Sequence, residues 1–457
     1  MLAAPISQLR QTVSTGTTRP IGWRLEQLER LERSIAARAD AVLAALAADL
    51  NKPPVEAYFE LMGVQRELKL CRRELRHWMA PRPVGVPLSL QPARAEVISE
   101  PLGCVLIIGP WNYPFHLCLK PLVSALAAGN TAVLKPSELA PATASLIADL
   151  IHEAFPDSTV QVVQGDGSTA AALLEEPFDH IFFTGSERIG RLVMAAAARQ
   201  LTPVTLELGG KSPAVVLADA DLNVTARRLV WGKSLNAGQT CIAPDHLFVQ
   251  REIADALITR MGQRIVDCFG VEPLSSPDLG RIVNREQYRR LSDLLEGARQ
   301  RGQLLHGGQC DPTGLRIAPT LIRIESPDDP LMQEELFGPL LPVLAVTDLE
   351  EAITLINRRA KPLALYLFGG SHQQQRDLLA RTSSGGVAFN EVVLQASVPG
   401  LPFGGVGASG MGAYHGKAGF DTFSHRRSVL RRPFRLDAPF RYPPYEGRLP
   451  LIRRLLG

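Results

Sequence analysis

No run of about 18 uninterrupted apolar residues occurs anywhere in the 457-residue chain, so the sequence offers no segment of membrane-spanning length. Its six cysteines, at positions 71, 104, 118, 241, 268 and 310, form no C-x-x-C pair. That spacing excludes the common zinc and dithiol motifs and leaves reduced, mostly buried thiols as the expectation. The nine histidines include no H-x-x-x-H ligand pair, and no metal is expected. A net charge of +3 is too small to point to nucleic acid. Gln8, Arg10 and Gln11 interrupt the N-terminus before an apolar signal core can form, which makes a cytoplasmic protein the expectation. The G-x-G-x-x-G dinucleotide fingerprint is also missing. Neither Gly165-Asp166-Gly167 nor the pair Gly185 and Gly190 completes it.

The length allows two or three domains with sizeable cores, and 46% hydrophobic against 21% charged residues fits a globular protein rather than a disordered one. Charge is unevenly placed: from Arg426 onward nine arginines face only Asp437 and Glu446, which leaves the rest of the chain net acidic. This tail reads as a solvated or subunit-facing basic surface. A sharper reading is peripheral contact with anionic lipid, helped by the apolar residues of 449–456, a segment too short to span a bilayer.

Apolar periodicity predicts an amphipathic helix over Trp23–Leu50, with Leu25, Leu28, Leu31 and Ile35 on one stripe, and a second helix over Glu56–Met79 after Pro53-Pro54. The proline-rich stretch Pro81–Pro92 cannot be helical throughout and is a candidate connector. Strands and helices then alternate. Strands are expected at 104–108, 131–134, 160–163 and 180–183, with helices at 117–128, 141–154, 168–174 and 188–199 between and after them. Such alternation argues a parallel sheet covered by helices. A second α/β series follows Glu207, with Asp221 as the N-cap of a helix to Asn236, Gly238 as its C′ residue, a strand at 246–249 and a helix at 253–269.

Chemistry concentrates in a few loops. Cys241, in Gly238-Gln239-Thr240-Cys241, stands beyond a helix C-terminus, where the dipole disfavours a thiolate. Activation must therefore come from elsewhere, and an inert buried thiol is the alternative. Glu207 ends a β-rich run before Gly209-Gly210. The glycines allow close backbone approach by a flat ring, or simply a tight turn. Thiol and carboxylate together can do covalent carbonyl chemistry, the sulfur attacking and the carboxylate activating water. Asn112, in Pro110-Trp111-Asn112-Tyr113-Pro114 just past the first buried strand, could donate to an oxyanion or could make an Asx turn. Lys135 and Glu138 could grip ribose hydroxyls, while Ser137 could cap the coming helix. Gly185-Ser186 opens a helix whose N–H groups could meet a pyrophosphate. The stretches at 334–339 and 402–407 read as loops.

In chain order, the motifs P-W-N-Y-P-F, L-K-P-S-E, F-T-G-S, L-E-L-G-G-K-S-P, G-Q-T-C, E-E-L-F-G-P and P-F-G-G resemble those of the NAD(P)-dependent aldehyde dehydrogenase superfamily. G-Q-T-C-I-A-P-D, S-S-G-G-V-A, G-M-G-A-Y-H-G-K, F-S-H-R-R-S and Y-P-P-Y make the chain most similar to the class 3 group. The resemblance implies an α/β fold with a Rossmann-like cofactor domain over residues 1–80 and 98–206. It further implies an α/β catalytic domain over 207–400, and a small β bridging or oligomerisation element with the tail over 81–97 and 401–457. It implies Cys241 as nucleophile, Glu207 as general base, and Asn112 with the backbone N–H of Cys241 as oxyanion hole. Trp111, Lys135, Glu138, Gly185, Ser186, Gly190, Leu208, Glu335 and Phe337 would contact NAD, with NADP as an alternative cofactor. An aldehyde substrate, medium-chain aliphatic or aromatic, and a homodimer follow from the same likeness. Two other functions share the scaffold: a CoA-acylating semialdehyde dehydrogenase, whose members usually lack the base glutamate, and a catalytically silent structural protein.

Overall fold

The computed structural model describes residues 6–157, 159–437 and 439–456. Two largely parallel sheets dominate it. The first runs Gly410–Met411, Val204–Glu207, His180–Thr184, Cys104–Ile108, Thr131–Lys135, Val160–Val162, with every strand parallel except the antiparallel first. Its central strand Cys104–Ile108 is buried throughout, as a run of five apolar residues under helices on both faces must be. The second sheet has seven strands, ordered Leu304–His306, Thr320–Ile324, Leu340–Val346, His246–Gln250, Pro213–Val216, Ala364–Phe368, Gly386–Phe389, and only its first pair is antiparallel. The expected α/β fold is therefore present. A third, antiparallel sheet joins Arg82–Val84, Arg94–Pro101 and Ser424–Arg431. The strand Gly410–Met411 comes from the C-terminal stretch grouped with the bridging element, yet pairs with Glu207 and Leu206 in the first sheet.

The N-terminal helical region departs from expectation. One helix over Trp23–Leu50 is in fact two, Ile21–Ala37 and Ala39–Leu50. Arg38 leaves helical geometry at the junction and reaches Glu153 at 2.8 Å on the helix Pro141–Ala154. Ser137 does not cap that helix; its hydroxyl accepts instead from the Leu139 N–H. The helix starts at Pro141 with Ala140 in the cap position, and Asp49 from the preceding helical pair supplies the missing acceptors. Its carboxylate takes the N–H groups of Ala142 and Thr143 at 3.0 and 2.8 Å and the Thr143 hydroxyl at 2.7 Å.

No helix among the described residues is long and apolar enough to cross a membrane. The tail forms a short helix, Leu449–Leu456, whose Leu451, Ile452, Leu455 and Leu456 side chains lie outside the described residues. The sheared-off helix start at Pro141 makes a stability test: Asp49→Ala should cost about 1–2 kcal/mol, as loss of a helix cap does, and Asp49→Asn less. The urea midpoint of the first unfolding transition measures both, and an unchanged midpoint in the alanine variant would refute the capping role.

Candidate active site

The loop that carries Cys241 is shaped by three successive left-handed residues. The helix Leu222–Ser234, capped by Asp221 as expected, stops two residues before the expected Asn236. Asn236, Ala237 and Gly238 then take φ of +52°, +53° and +77°. A Cβ on Gly238 would meet the Gly338 carbonyl at 2.3 Å, so glycine is required there for space as well as for φ. Left-handed Asn236 and Ala237 are unfavourable alone, and hydrogen bonds hold them. The Asn236 N–H donates to Glu56 at 2.8 Å, and the Asn236 side chain donates to the carbonyls of Asn112 and Gln239 at 2.8 and 3.1 Å. Gln239 is bound on all sides, donating to the Asn236 and Arg281 carbonyls and accepting from the Val283 N–H. After the cysteine, the Tyr366 hydroxyl donates to the Ile242 carbonyl at 2.5 Å.

Cys241 itself is partly buried. Its surroundings push the thiol up to about 12: burial first, then the charges of Glu335 and Glu207, against which its own N–H and that of Ile242 pull down by hydrogen-bonding the sulfur. The helix dipole is no help here, in agreement with the sequence. Asn112 comes from the loop after the strand Cys104–Ile108, and its side chain donates to the Gln239 carbonyl at 3.1 Å rather than making an Asx turn. Tyr113 next to it shares a 2.7 Å hydrogen bond with Thr240. The loop that follows the strand Cys104–Ile108 and the loop before Cys241 are thus joined residue to residue.

Glu207 ends its strand between Thr184 and Gly410. It is 2% exposed, and neither carboxyl oxygen has a hydrogen-bond partner among the described residues. Burial alone holds its pKa well above the ordinary carboxylate range.

The remaining expected residues line the carboxyl ends of the first sheet and the facing loops of the second. Buried Lys135 donates to half-exposed Glu138 at 2.6 Å. Ser186 accepts from the Ile189 N–H and caps the helix Glu187–Ala198. A Cβ on Gly185 would enter the Phe183 ring, and one on Gly190 would meet Leu208 at 2.7 Å, so Gly190 and Leu208 are a packing pair that seats this helix. A Cβ on Gly209 would lie 2.2 Å from a Glu335 oxygen, which makes the glycine a cradle for that carboxylate. Trp111 and Phe337 meet edge to face at 5.3 Å, and Phe337 takes a left-handed φ of +48°. This donor set fits a dinucleotide: an ammonium and a carboxylate at a strand end, a helix N-terminus, and a second carboxylate backed by a bare glycine.

Sequence reasoning missed the supports. Lys211 pairs with Asp245 and donates to the carbonyls of Leu331 and Glu334, both at 2.9 Å. Arg290 donates to the Leu336 carbonyl at 2.5 Å, and Asp245 accepts the Leu336 N–H, so the loop bearing Glu335 is clamped from both sides. Lys52, Glu56 and Glu60 were missed as well. A signal existed in the helix Pro54–Trp78, where Glu56, Glu60 and Glu67 accompany the apolar stripe of Ala57, Leu61, Val64 and Leu68. Charged groups on a core-facing stripe are rarely idle.

The fold, with a cleft between two parallel sheets and a thiol in it, is that of an α/β oxidoreductase. The aldehyde dehydrogenase family matches residues 7–429, and the chain belongs to that family, whose members oxidise aldehydes with NAD(P)+. Its likeness is to class 3 members. It is 44% identical over 454 residues to aldehyde dehydrogenase family 3 member H1 of Arabidopsis thaliana, covering 99% of this chain and 94% of that one. It is also 44% identical to the dimeric NADP-preferring aldehyde dehydrogenase of Rattus norvegicus, covering 97% and 98%. The substrate-bound structure of Staphylococcus aureus AldH superposes with a TM-score of 0.95 at 42% identity, over the full length of both chains.

A thiol held near 12 has a rate signature. In the cofactor-free protein, alkylation of Cys241 by iodoacetamide should be slow at pH 7.5 and should rise about tenfold per pH unit up to pH 10, because each unit multiplies the thiolate fraction by that factor. Peptide mass spectrometry follows the adduct, and a rate that levels off below pH 9 would show the thiol to be already activated.

Proposed function

We propose that the chain oxidises medium-chain aliphatic or aromatic aldehydes to carboxylic acids. In this reading Cys241 is the nucleophile, Glu207 the general base, and Asn112 with the backbone N–H of Cys241 the oxyanion hole. The observation that carries it is the buried, unpartnered Glu207 carboxyl, whose charge acts on the Cys241 thiol. A buried carboxyl left without partners is costly unless function retains it.

The Cys241 thiol gives its proton to water, and the thiolate sulfur adds to the aldehyde carbon as the carbonyl π pair moves to oxygen. The alkoxide that forms takes hydrogen bonds from the Asn112 amide and the Cys241 N–H, donors held in place before the charge develops. Bound NAD(P)+ supplies the hydride acceptor and a cationic ring that favours the thiolate. A thioester remains on Cys241. The Glu207 carboxylate then takes a proton from a water molecule, the water oxygen bonds to the thioester carbon, and the C–S bond breaks to release the acid and return the sulfur as thiolate. Glu207 works through that water rather than by direct contact with the thiol, since an ionised carboxylate against the sulfur would suppress the thiolate.

Lys135 and Glu138 would hold the adenosine ribose, Glu335 the nicotinamide ribose, Gly185, Ser186 and Gly190 the pyrophosphate side, and Trp111, Leu208 and Phe337 the nicotinamide side. Glu138 accepts ribose hydroxyls and repels a 2′-phosphate that Lys135 attracts, a balance that favours NAD and tolerates NADP. Residues 1–80 and 98–206 serve as cofactor domain, 207–400 as catalytic domain, and 81–97 with 401–457 as bridging element and tail. The strand Ser424–Arg431, paired on one side only, supports a homodimer, because a long open edge invites a partner. A cytoplasmic location is consistent with free cysteines in every described position.

A rate panel of aldehydes with NAD and NADP tests substrate and cofactor together. Cys241→Ala should bind cofactor and produce no reduced cofactor. Glu207→Gln should give one stoichiometric burst and then stall at the thioester. Full multiple turnover by Glu207→Gln would remove it as the base, and acid release that requires CoA would replace water as the acceptor.

A further inference from the structure

The first turn of the helix Pro54–Trp78 reaches both halves of the cleft. Lys52, just before it, donates to the Asn112 carbonyl at 2.7 Å, lies 3.9 Å over the Tyr113 ring and forms a fully buried ion pair with Glu60. Glu60 in turn accepts the N–H groups of Phe115 and His116 at 3.2 and 3.1 Å. These contacts fix the loop that carries Asn112. Glu56, one turn earlier on the same face, accepts the Asn236 N–H at 2.8 Å. That N–H is the one a continuing helix would give to the Gly232 carbonyl four residues back. Instead the chain leaves the helix there and passes through its three left-handed residues to Cys241.

We propose that Glu56 is a positioning residue for the nucleophile. By taking the Asn236 N–H it ends the helix at Ser234, stabilises the left-handed turn, and sets Cys241 against the Asn112 amide from the same helix that holds Asn112. The proposal rests on Cys241 as nucleophile. What the role requires is an acceptor oxygen at the right reach, so a neutral amide of equal length can serve and a shorter carboxylate cannot. Asn236 closes the loop by donating to the Asn112 carbonyl, so an error in the turn is felt at both partners of the reaction.

Three full-length variants test this: Glu56→Ala, Glu56→Gln and Glu56→Asp, each followed by the pre-steady-state burst of reduced cofactor. Glu56→Ala should slow the burst by about 10- to 100-fold, as a misplacement near 1 Å does, while the dissociation constant for NAD stays within about twofold. Glu56→Gln should recover most of the rate, and Glu56→Asp, which keeps the charge but falls short by a methylene, should remain slow. A parental burst rate in Glu56→Ala overturns the proposal, and so does recovery by aspartate but not glutamine. If the alanine variant fails to fold, the glutamine–aspartate comparison decides alone. Cys241→Ala run alongside separates the two layers. An active Cys241→Ala sinks the nucleophile assignment, whereas an inactive one with an unperturbed Glu56→Ala sinks only the role of Glu56.

Discussion

The carbonyl oxygen of Asn112 accepts hydrogen bonds from Lys52 and from the Asn236 side chain, and most of the cleft follows from that convergence. Lys52 brings the N-terminal helices to the loop after the first sheet. Asn236 brings the turn that precedes Cys241. A single main-chain acceptor with two lone pairs thereby ties three separate parts of the chain to one point. Each donor is itself anchored, Lys52 by Glu60 and Asn236 by Glu56. Because the network is buried and nearly every member is satisfied, loosening one bond exposes an unpaired group rather than shifting it to water, and the geometry is stiff.

Beside this frame, the thiol and the carboxyl have few partners. The Glu207 carboxyl has no hydrogen-bond partner among the described residues, and backbone N–H groups only partly offset the burial of the Cys241 thiol. Burial raises the proton affinity of both, and it pushes Glu335 up to about 8 despite Lys211 and Lys233 nearby. The common cause is a low-dielectric cleft that penalises every anion. Such a site is quiet when empty. It gains reactivity when a cation enters, because the same dry surroundings that disfavour an isolated thiolate strengthen its attraction to a positive ring.

Much of this was readable in advance. The apolar runs at 104–108 and 131–134 were legible as buried parallel strands, since nothing but helices on both faces tolerates such composition. Asp221 was legible as a cap because its function needs only its neighbours in sequence. Ser137 was misread for the complementary reason: its local setting suits a cap, but Asp49, nearly a hundred residues earlier, takes the position through space. The helix over 23–50 kept its apolar stripe and still broke at Arg38, whose backbone leaves helical geometry while its side chain pairs with Glu153 on a neighbouring helix. Lys211 and Asp245 lie inside the quoted motifs L-E-L-G-G-K-S-P and G-Q-T-C-I-A-P-D, yet their role as clamps, like that of Arg290, was not legible, because clamping a loop through its carbonyls leaves no pattern in the side chains being clamped.

By itself the sequence determined the alternation of strands and helices, the positions of the thiol, the carboxylate and the amide, and the family they resemble, since each of these is written in residue types at short range. Only the tertiary structure decided how the three meet. The left-handed turn at 236–238, the anchoring of Asn112 by Lys52, and the burial of Glu207 all depend on groups distant in sequence and on the exclusion of water from between them, and water is excluded only once two sheets and the N-terminal helices have closed on one another.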